Sequence, residues 1–399
     1  MSDNNKPLKV AFDGKRALFN FTGLGNYCRY ALGALSEFAP GSDYRVYSHK
    51  DPAKSKADDV KRMPGISIVT PSGSYGRRFP RLWRHYGGLA PQLKADGIDL
   101  YHGLSNELPL DIARAGIPSV VTIHDLIFRT IPENYKAVDR RLYDFKFSRA
   151  ARNATRIIAI SERTKADIIR FYGIDPAKID VIYQGCDPIF NRSYAESTAA
   201  EVRETYSLPE KFIVMIGTVE QRKNQLLAVE ALALLPDDVS LVIAGRERNS
   251  YGGLLRRRIA ELGLENRVRI LSGVPTSHLP ALYSLAVAAA YPSRYEGFGL
   301  PVIEAINSGT PVIAATGSCL EEAGGEGAAY VDPDSPAEFA EAARRIMADK
   351  ELRREMVERG QAHTARFNRR TFALQLTETY RKAIAEFNAA RAKRSGGKK

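Results

Sequence analysis

From one end of the chain to the other, short runs rich in Val and Ile alternate with longer amphipathic stretches. A strand buried on both faces reads as a nearly continuous apolar run, whereas a crossover helix is apolar on one side only. The alternation therefore predicts an α/β fold built of parallel strands and crossover helices. In the first half the strands are expected at residues 8–13, 44–48, 99–102, 119–123, 156–160 and 179–183. Helices are expected at 24–38 and 162–172, the second with Ser161 as N-cap. Residues 187–208 break the period: Pro188, Asn191, Ser193 and Pro209 surround a stretch with no strand pattern, which reads as a linker. Strands then resume at 212–217, 241–245, 268–271, 287–291, 312–315 and 328–331, with helices to about residue 235 and over 253–262.

This pattern implies two doubly wound, Rossmann-like domains, residues 1–188 and 209–366, separated by a linker at 189–208. A last helix within 367–390 is expected to pack back toward the first domain, ahead of a disordered basic tail at 391–399. Two such domains are expected to face a central cleft lined by the carboxyl ends of their strands, where ligands of open α/β sheets bind.

At 399 residues, 44% hydrophobic and 26% charged, the chain is neither disordered nor collagenous. Its net charge of +12 is uneven: residues 1–190 carry 29 basic and 20 acidic side chains, the rest 29 and 26. An anionic partner of the first half follows, such as a membrane surface, a phosphorylated acceptor or nucleic acid. Cys28, Cys186 and Cys319 are too scattered for a disulfide framework or a zinc site and fit a reducing compartment. With no apolar run long enough to cross a bilayer, a cytoplasmic protein, soluble or peripheral, is expected.

Residues 291–304, Tyr-Pro-Ser-Arg-Tyr-Glu-Gly-Phe-Gly-Leu-Pro-Val-Ile-Glu, carry the strongest motif: a strand end, a glycine loop and a helix start. Gly297 and Gly299 let the backbone approach a ligand, Pro301 suits a first helical turn, and the loop amides face an anion. Glu296 and Glu304 flank this site, and carboxylates beside a phosphate are better suited to accept hydrogen bonds from sugar hydroxyls. Residues 217–224, Gly-Thr-Val-Glu-Gln-Arg-Lys-Asn, put Arg222 and Lys223 between a strand and a helix, two adjacent cations at the carboxyl end of a strand.

The two glutamates separated by seven residues, the first of them opening Glu-Gly-Phe-Gly-Leu-Pro, with Gly309-Thr-Pro-Val-Ile313 beyond, resemble the retaining glycosyltransferases of family 4, which have the GT-B architecture. The resemblance implies that Glu296 contacts hydroxyls of the transferred sugar and Glu304 the nucleotide ribose. It assigns the amides of Gly297, Phe298, Gly299 and Leu300 to sugar and phosphate, and Arg222 with Lys223 to the diphosphate. His124, which ends an apolar strand in Val121-Thr-Ile-His-Asp-Leu126, matches a histidine beside the transferred sugar, with Asp125 supporting it or the acceptor. Gly23 and Gly25 match a glycine loop that accepts donor phosphates.

Other features are weaker. Gly23-Leu-Gly25 lacks the third glycine and acidic partner of a dinucleotide fingerprint. Asp332-Pro-Asp334 looks like a metal-binding pair but precedes Ser335-Pro336, so a turn and helix cap are expected instead. Gly217, Gly245, Arg246, Gly273 and Val274 end strands of the second half and are expected to line the nucleotide pocket, with guanine or uracil left open. Residues 75–86 mix four arginines with four aromatics, which suits an anionic bilayer, single-stranded nucleic acid or a plain packed helix.

The expected activity is transfer of a hexose from a nucleoside diphosphate sugar to a glycan or lipid-linked glycan, with retention, no metal and no other cofactor. GDP-mannose is the first choice of donor, because the stretches around His124 and Arg222 look most like bacterial mannosyltransferases of surface polysaccharide assembly. A UDP-sugar glucosyl- or N-acetylglucosaminyltransferase, a nucleotide-sugar epimerase or phosphorylase, and a non-enzymatic basic membrane- or nucleic-acid-binding protein are the alternatives. Nucleic acid is not an expected partner, since it would leave the Glu296–Glu304 loop without a purpose.

Overall fold

The computed structural model describes residues 6–191, 196–247 and 250–396. It divides into two compact units, one formed by Met1–Gln184 with Asn368–Lys399, the other by Gly185–Phe367. The first holds seven strands: β1 (Lys9–Asp13), β2 (Asp43–Tyr47), β3 (Ile66–Val69), β4 (Leu100–Gly103), β5 (Ser119–Ile123), β6 (Arg156–Ala159) and β7 (Ile179–Val181). All its pairings are parallel, in the order β3-β2-β1-β4-β5-β6-β7. The order reverses between β1 and β4, and the carboxyl ends of that pair form the crevice where doubly wound sheets take ligands. Five of the seven strands lie within two residues of their expected ends, β5 coincides with its expectation, and β3 was not expected. Its four residues are only partly buried at a sheet edge and give too short a period to recognise.

The helix Glu162–Tyr172 falls where expected, with Ser161 Oγ accepting from the Thr164 amide at 3.0 Å. The long closing helix, Arg369–Gly396, belongs to this unit. Phe372 is fully buried on it, meeting Tyr30 and Tyr27 edge-on at centroid distances of 5.1 and 5.9 Å. Tyr380 lies 2.8 Å from Nδ1 of the buried His102. Because the helix continues through Gly396, residues 391–396 are not the disordered tail expected there, and residues 397–399 lie outside the described residues. The Lys/Arg-rich end is helical because nothing in it before Gly396 breaks the helix.

In the second unit β8 (Phe212–Ile216), β9 (Ser240–Ala244), β10 (Val268–Leu271), β11 (Ala288–Tyr291), β12 (Val312–Ala315) and β13 (Ala328–Val331) form a parallel sheet ordered β10-β9-β8-β11-β12-β13. Here the order reverses between β8 and β11. The stretch 189–208, expected to be a linker, instead carries the helix Glu196–Thr205 of this unit. Its Val202 is fully buried, and Tyr206 just beyond it lies 2.9 Å from His278 Nδ1. One apolar anchor in a polar helix is too little for periodicity to reveal.

Candidate active site

The two loops that follow β8 and β11 meet at the switch point of the second sheet. After β8 the chain passes Gly217 at φ +143° and forms a short 3-10 turn, Gln221–Lys223, ending on Asn224 at φ +57°. After β11 it runs to Gly299, at φ +125°, which caps the helix Leu300–Asn307. The Arg294 amide donates to Arg222 O at 2.9 Å and Arg222 Nη1 to Tyr295 O at 2.8 Å, so each loop holds the other.

Glu296 is buried where the loops join. Its Oε1 lies 2.6 Å from Arg222 Nη1 and 2.6 Å from Lys223 Nζ, and accepts from Tyr291 OH at 3.2 Å. Arg222 also pairs with Glu220 at 2.6 Å, and the Lys223 ammonium sits 4.4 Å from the Tyr291 ring centroid. Burial alone would raise the Glu296 carboxyl, but Lys223 and Arg222 outweigh it and hold the group at about 2. Burial draws the Lys223 ammonium down, and its carboxylate partner offsets this only in part. Glu304, one helical turn into Leu300–Asn307, faces a different environment. Burial pushes its carboxyl up to about 7, opposed by a 3.5 Å hydrogen bond from Tyr283 and reinforced by Asp187. The site thus holds one carboxylate ionised at any ordinary pH and a second that changes charge near neutrality.

The structure gathers Gly217, Arg222, Lys223, Glu296, Gly297, Phe298, Gly299 and Leu300 at this point. Gly245, at the end of β9, is there for close approach: a Cβ would lie 1.8 Å from Gly217 O. Arg246 is exposed beside it, and its carbonyl accepts from the Val219 amide at 3.0 Å. Gly273, with φ +73°, and Val274 follow the edge strand β10, two strands out from β8. Asp332 Oδ1 accepts from the Asp334 amide at 2.8 Å, and Ser335 Oγ caps the next helix through Glu338 N at 3.2 Å, the turn and cap expected of this pair. Among the described residues no three His, Cys, Asp or Glu side chains gather as a metal site.

In the first unit His124 follows β5, 6% exposed, with Nε2 2.8 Å from Leu104 O and its ring edge-on to Tyr27 at 4.5 Å. Burial lowers its pKa to about 4, so the ring is neutral at pH 7 and its Nε2 carries the hydrogen donated to the carbonyl. Asp125 Oδ1 accepts from the Ile127 amide at 3.2 Å. Gly23 and Gly25 lie inside the first turn of the helix Gly23–Phe38 rather than in a loop before it. The amides of Thr22 and Gly25 donate to Asn20 Oδ1 at 3.0 and 3.1 Å, and a Cβ on Gly25 would stand 1.8 Å from Asn20 O.

Sequence reasoning missed two groups. Tyr291, read only as a strand end, fixes Lys223 and Glu296 from below. At the first unit's own switch point, Arg84 is buried with Nε 2.9 Å from Asp13 Oδ1 and Nη2 3.5 Å from Glu107, which Lys146 reaches at 3.4 Å. Asp13 and Arg84 stand 71 residues apart, and nothing local marks them as partners. On sequence, residues 75–86 stay open between a bilayer, a nucleic acid and a packed helix. They form two short helices, Gly73–Arg78 and Pro80–His85, in which Trp83 and Arg84 are buried, so neither reaches a surface partner.

The model "Glycosyltransferase Family 4" matches residues 21–190 and "Glycosyl transferases group 1" matches 198–363. A D-inositol 3-phosphate glycosyltransferase of Corynebacterium glutamicum is 31% identical over 288 residues, covering 68% of both chains. The chain belongs to the family 4 glycosyltransferases. This glycosyltransferase is also 27% identical to O-antigen chain mannosyltransferase B of Escherichia coli, over 94% of its own length and 100% of the relative's. Its fold is GT-B. Anabaena Alr3699/HepE, solved in complex with UDP, matches it with a TM-score of 0.73 at 22% identity, over 94% and 100% of the two chains.

Proposed function

We propose that this glycosyltransferase moves mannose from GDP-mannose, with retention, to a hydroxyl of a lipid-linked glycan. The observation that carries the reading is the Glu296 cluster: two partly buried cations converge on one carboxylate at a sheet switch point, beside a glycine-capped helix start. In this reading Arg222 and Lys223 take the diphosphate, Glu296 the hydroxyls of the sugar and Glu304 those of the ribose. The amides from Gly297 to Leu300 complete the anion site. By the family resemblance His124 lies against the transferred sugar and Gly23 and Gly25 near the phosphates. Mannose is favoured by the E. coli relative, an O-antigen chain mannosyltransferase.

The C1–phosphate bond breaks as the C1–acceptor oxygen bond forms on the same face, and the acceptor proton passes to the departing phosphate. Charge on the leaving group is met by Arg222 and Lys223, so no metal is called for and full turnover in EDTA is expected. We place the enzyme in the cytoplasm, consistent with three buried free cysteines, where its basic first unit meets an anionic membrane through Arg77, Arg78 and Arg81. Incubation with a panel of GDP- and UDP-sugars tests the reading: slow hydrolysis of GDP-mannose with release of the α-anomer is expected. Turnover of a UDP-sugar alone would reassign the donor, and dependence on manganese would reassign the chemistry.

A further inference from the structure

Large apolar side chains left in water are few and unevenly placed. Of eleven among the described residues, seven lie in two segments of the first unit. Tyr75, Phe79, Leu82 and Tyr86 fall within residues 75–86, and Val138, Leu142 and Phe145 on the helix Ala137–Asn153. On that helix positions 138, 142, 145 and 149 share one face, while Phe147, Ala150 and Ala151 are buried on the other. It thus shows an apolar stripe to its own core and a second to solvent, and exposed apolar patches of this kind mark interaction surfaces.

The two segments form one continuous surface. The Leu110 amide donates to His85 O at 2.9 Å, Arg149 Nη2 donates to Leu110 O at 3.0 Å, and Arg114 lies 5.5 Å from the Tyr86 ring centroid. Between them opens a cavity of about 210 Å³, walled by Leu108, Pro109, Leu142 and Phe145 together with Lys146 and Arg149. An apolar cavity of about 150 Å³ already admits benzene, whereas nucleotide-sized ligands need at least about 300 Å³. This one suits a short length of hydrocarbon.

Glu107 also lines the cavity, paired with Arg84 and Lys146, and the surface beyond it is mostly basic. Residues 75–86 hold four arginines and no acidic side chain, and residues 137–153 five basic side chains against two acidic. Arg77, Arg78, Arg81, Arg141 and Arg149 are exposed. Aliphatic and aromatic side chains ringed by arginine match an anionic bilayer, whose interface takes both, better than a nucleic acid, which offers no partner for Val138 and Leu142.

We propose that this face seats the first unit on an anionic bilayer and that the cavity beside the helix Ala137–Asn153 takes one lipid tail. The inference rests on the reading of the first unit as the membrane-facing one, and assigns a lipid site to a helix to which that reading gives no role. The full chain should sediment with mixed phosphatidylcholine and phosphatidylglycerol vesicles and not with phosphatidylcholine alone. Leu142→Glu with Phe145→Glu, at half-exposed positions where folding is not at stake, should weaken that binding by at least about tenfold, because each apolar side chain withdrawn from the interface costs roughly that factor. A phosphatidylglycerol with a diazirine in its acyl chain should label peptides containing residues 107–110 and 142–150 in the parent and not in the double variant. A parent that never sediments overturns this proposal and the membrane reading together. If the parent binds, and Arg77→Gln, Arg78→Gln and Arg81→Gln release it while the double variant binds and labels unchanged, the lipid site alone falls.

Discussion

Glu296 and Glu304 belong to one loop and helix, yet their surroundings drive them in opposite directions. Two cations hold the first ionised, while burial without a cation in direct contact drives the second up to about 7. For Glu304 the sign is definite: a carboxylate raised above its unfolded value favours the folded state at low pH, and that contribution is lost as pH rises through about 7. If Glu304 takes the proposed ribose role, nucleotide binding should show the opposite trend, because the ionised carboxylate accepts hydrogen bonds more strongly than the protonated acid. GDP affinity measured calorimetrically should strengthen several-fold from pH 6 to pH 8, at most about tenfold per pH unit, and Glu304→Gln should flatten that dependence. A wild-type profile as flat as that of the variant would take Glu304 out of the nucleotide site. Arg222 and Lys223, proposed to meet the same ligand, should act on it differently. Replacing both by Ala should lower kcat by about 10²–10³ while donor affinity falls much less, since their charge counts most as the diphosphate departs. Rapid-quench kinetics beside equilibrium binding would separate the two quantities.

At the scale of elements, the site depends on how two strands end. Gly217 and Gly299 take backbone conformations closed to other residues, and a Cβ on Gly299 would also stand 2.9 Å from Leu320 Cδ2. Gly299→Ala should therefore cost about 1–3 kcal/mol of stability, seen as a lowered Tm, and should weaken GDP binding because the helix start it caps is displaced. An unchanged Tm would mean that the loop relaxes freely and that its geometry is not what makes the site. Gly25 also packs closely against Asn20, so a glycine at a motif position can be required by packing as well as by a ligand.

At the scale of the whole molecule, the first unit is discontinuous in sequence. Its closing helix covers Tyr27 and Tyr30 with Phe372, meets His102 through Tyr380 and pairs Glu386 with Arg156 at 2.5 Å. Truncation after Phe367 should expose that apolar surface, and removal of a buried Phe alone costs about 3–5 kcal/mol. Limited proteolysis of the truncated chain is expected to digest the first unit and to spare residues 185–367. A first unit that stays resistant would show that the helix is an accessory.

Much of this was readable from residue order. Strand and crossover-helix periods are local signals, so both sheets, most strand ends and the glycine loop at residues 291–304 were legible, as was the family. Local signals fail where partners are distant or elements short. β3 and the helix Glu196–Thr205 carry too few apolar residues to register a period, and the buried Asp13–Arg84–Glu107 network joins residues with no shared motif. Residues 75–86 show the limit most clearly, for composition there is the same whether Trp83 and Arg84 face a membrane or the core. Only packing around Asp13 and Gln92, which accepts from Trp83 Nε1 at 3.2 Å, decided that they turn inward while Phe79 and Leu82 remain outside. By itself the sequence determined most of the strands and longer helices and the residues of the glycine loop at 291–304. Tertiary structure alone decided which charges are buried together, because desolvation and pairing depend on distances in space that the order of residues does not contain.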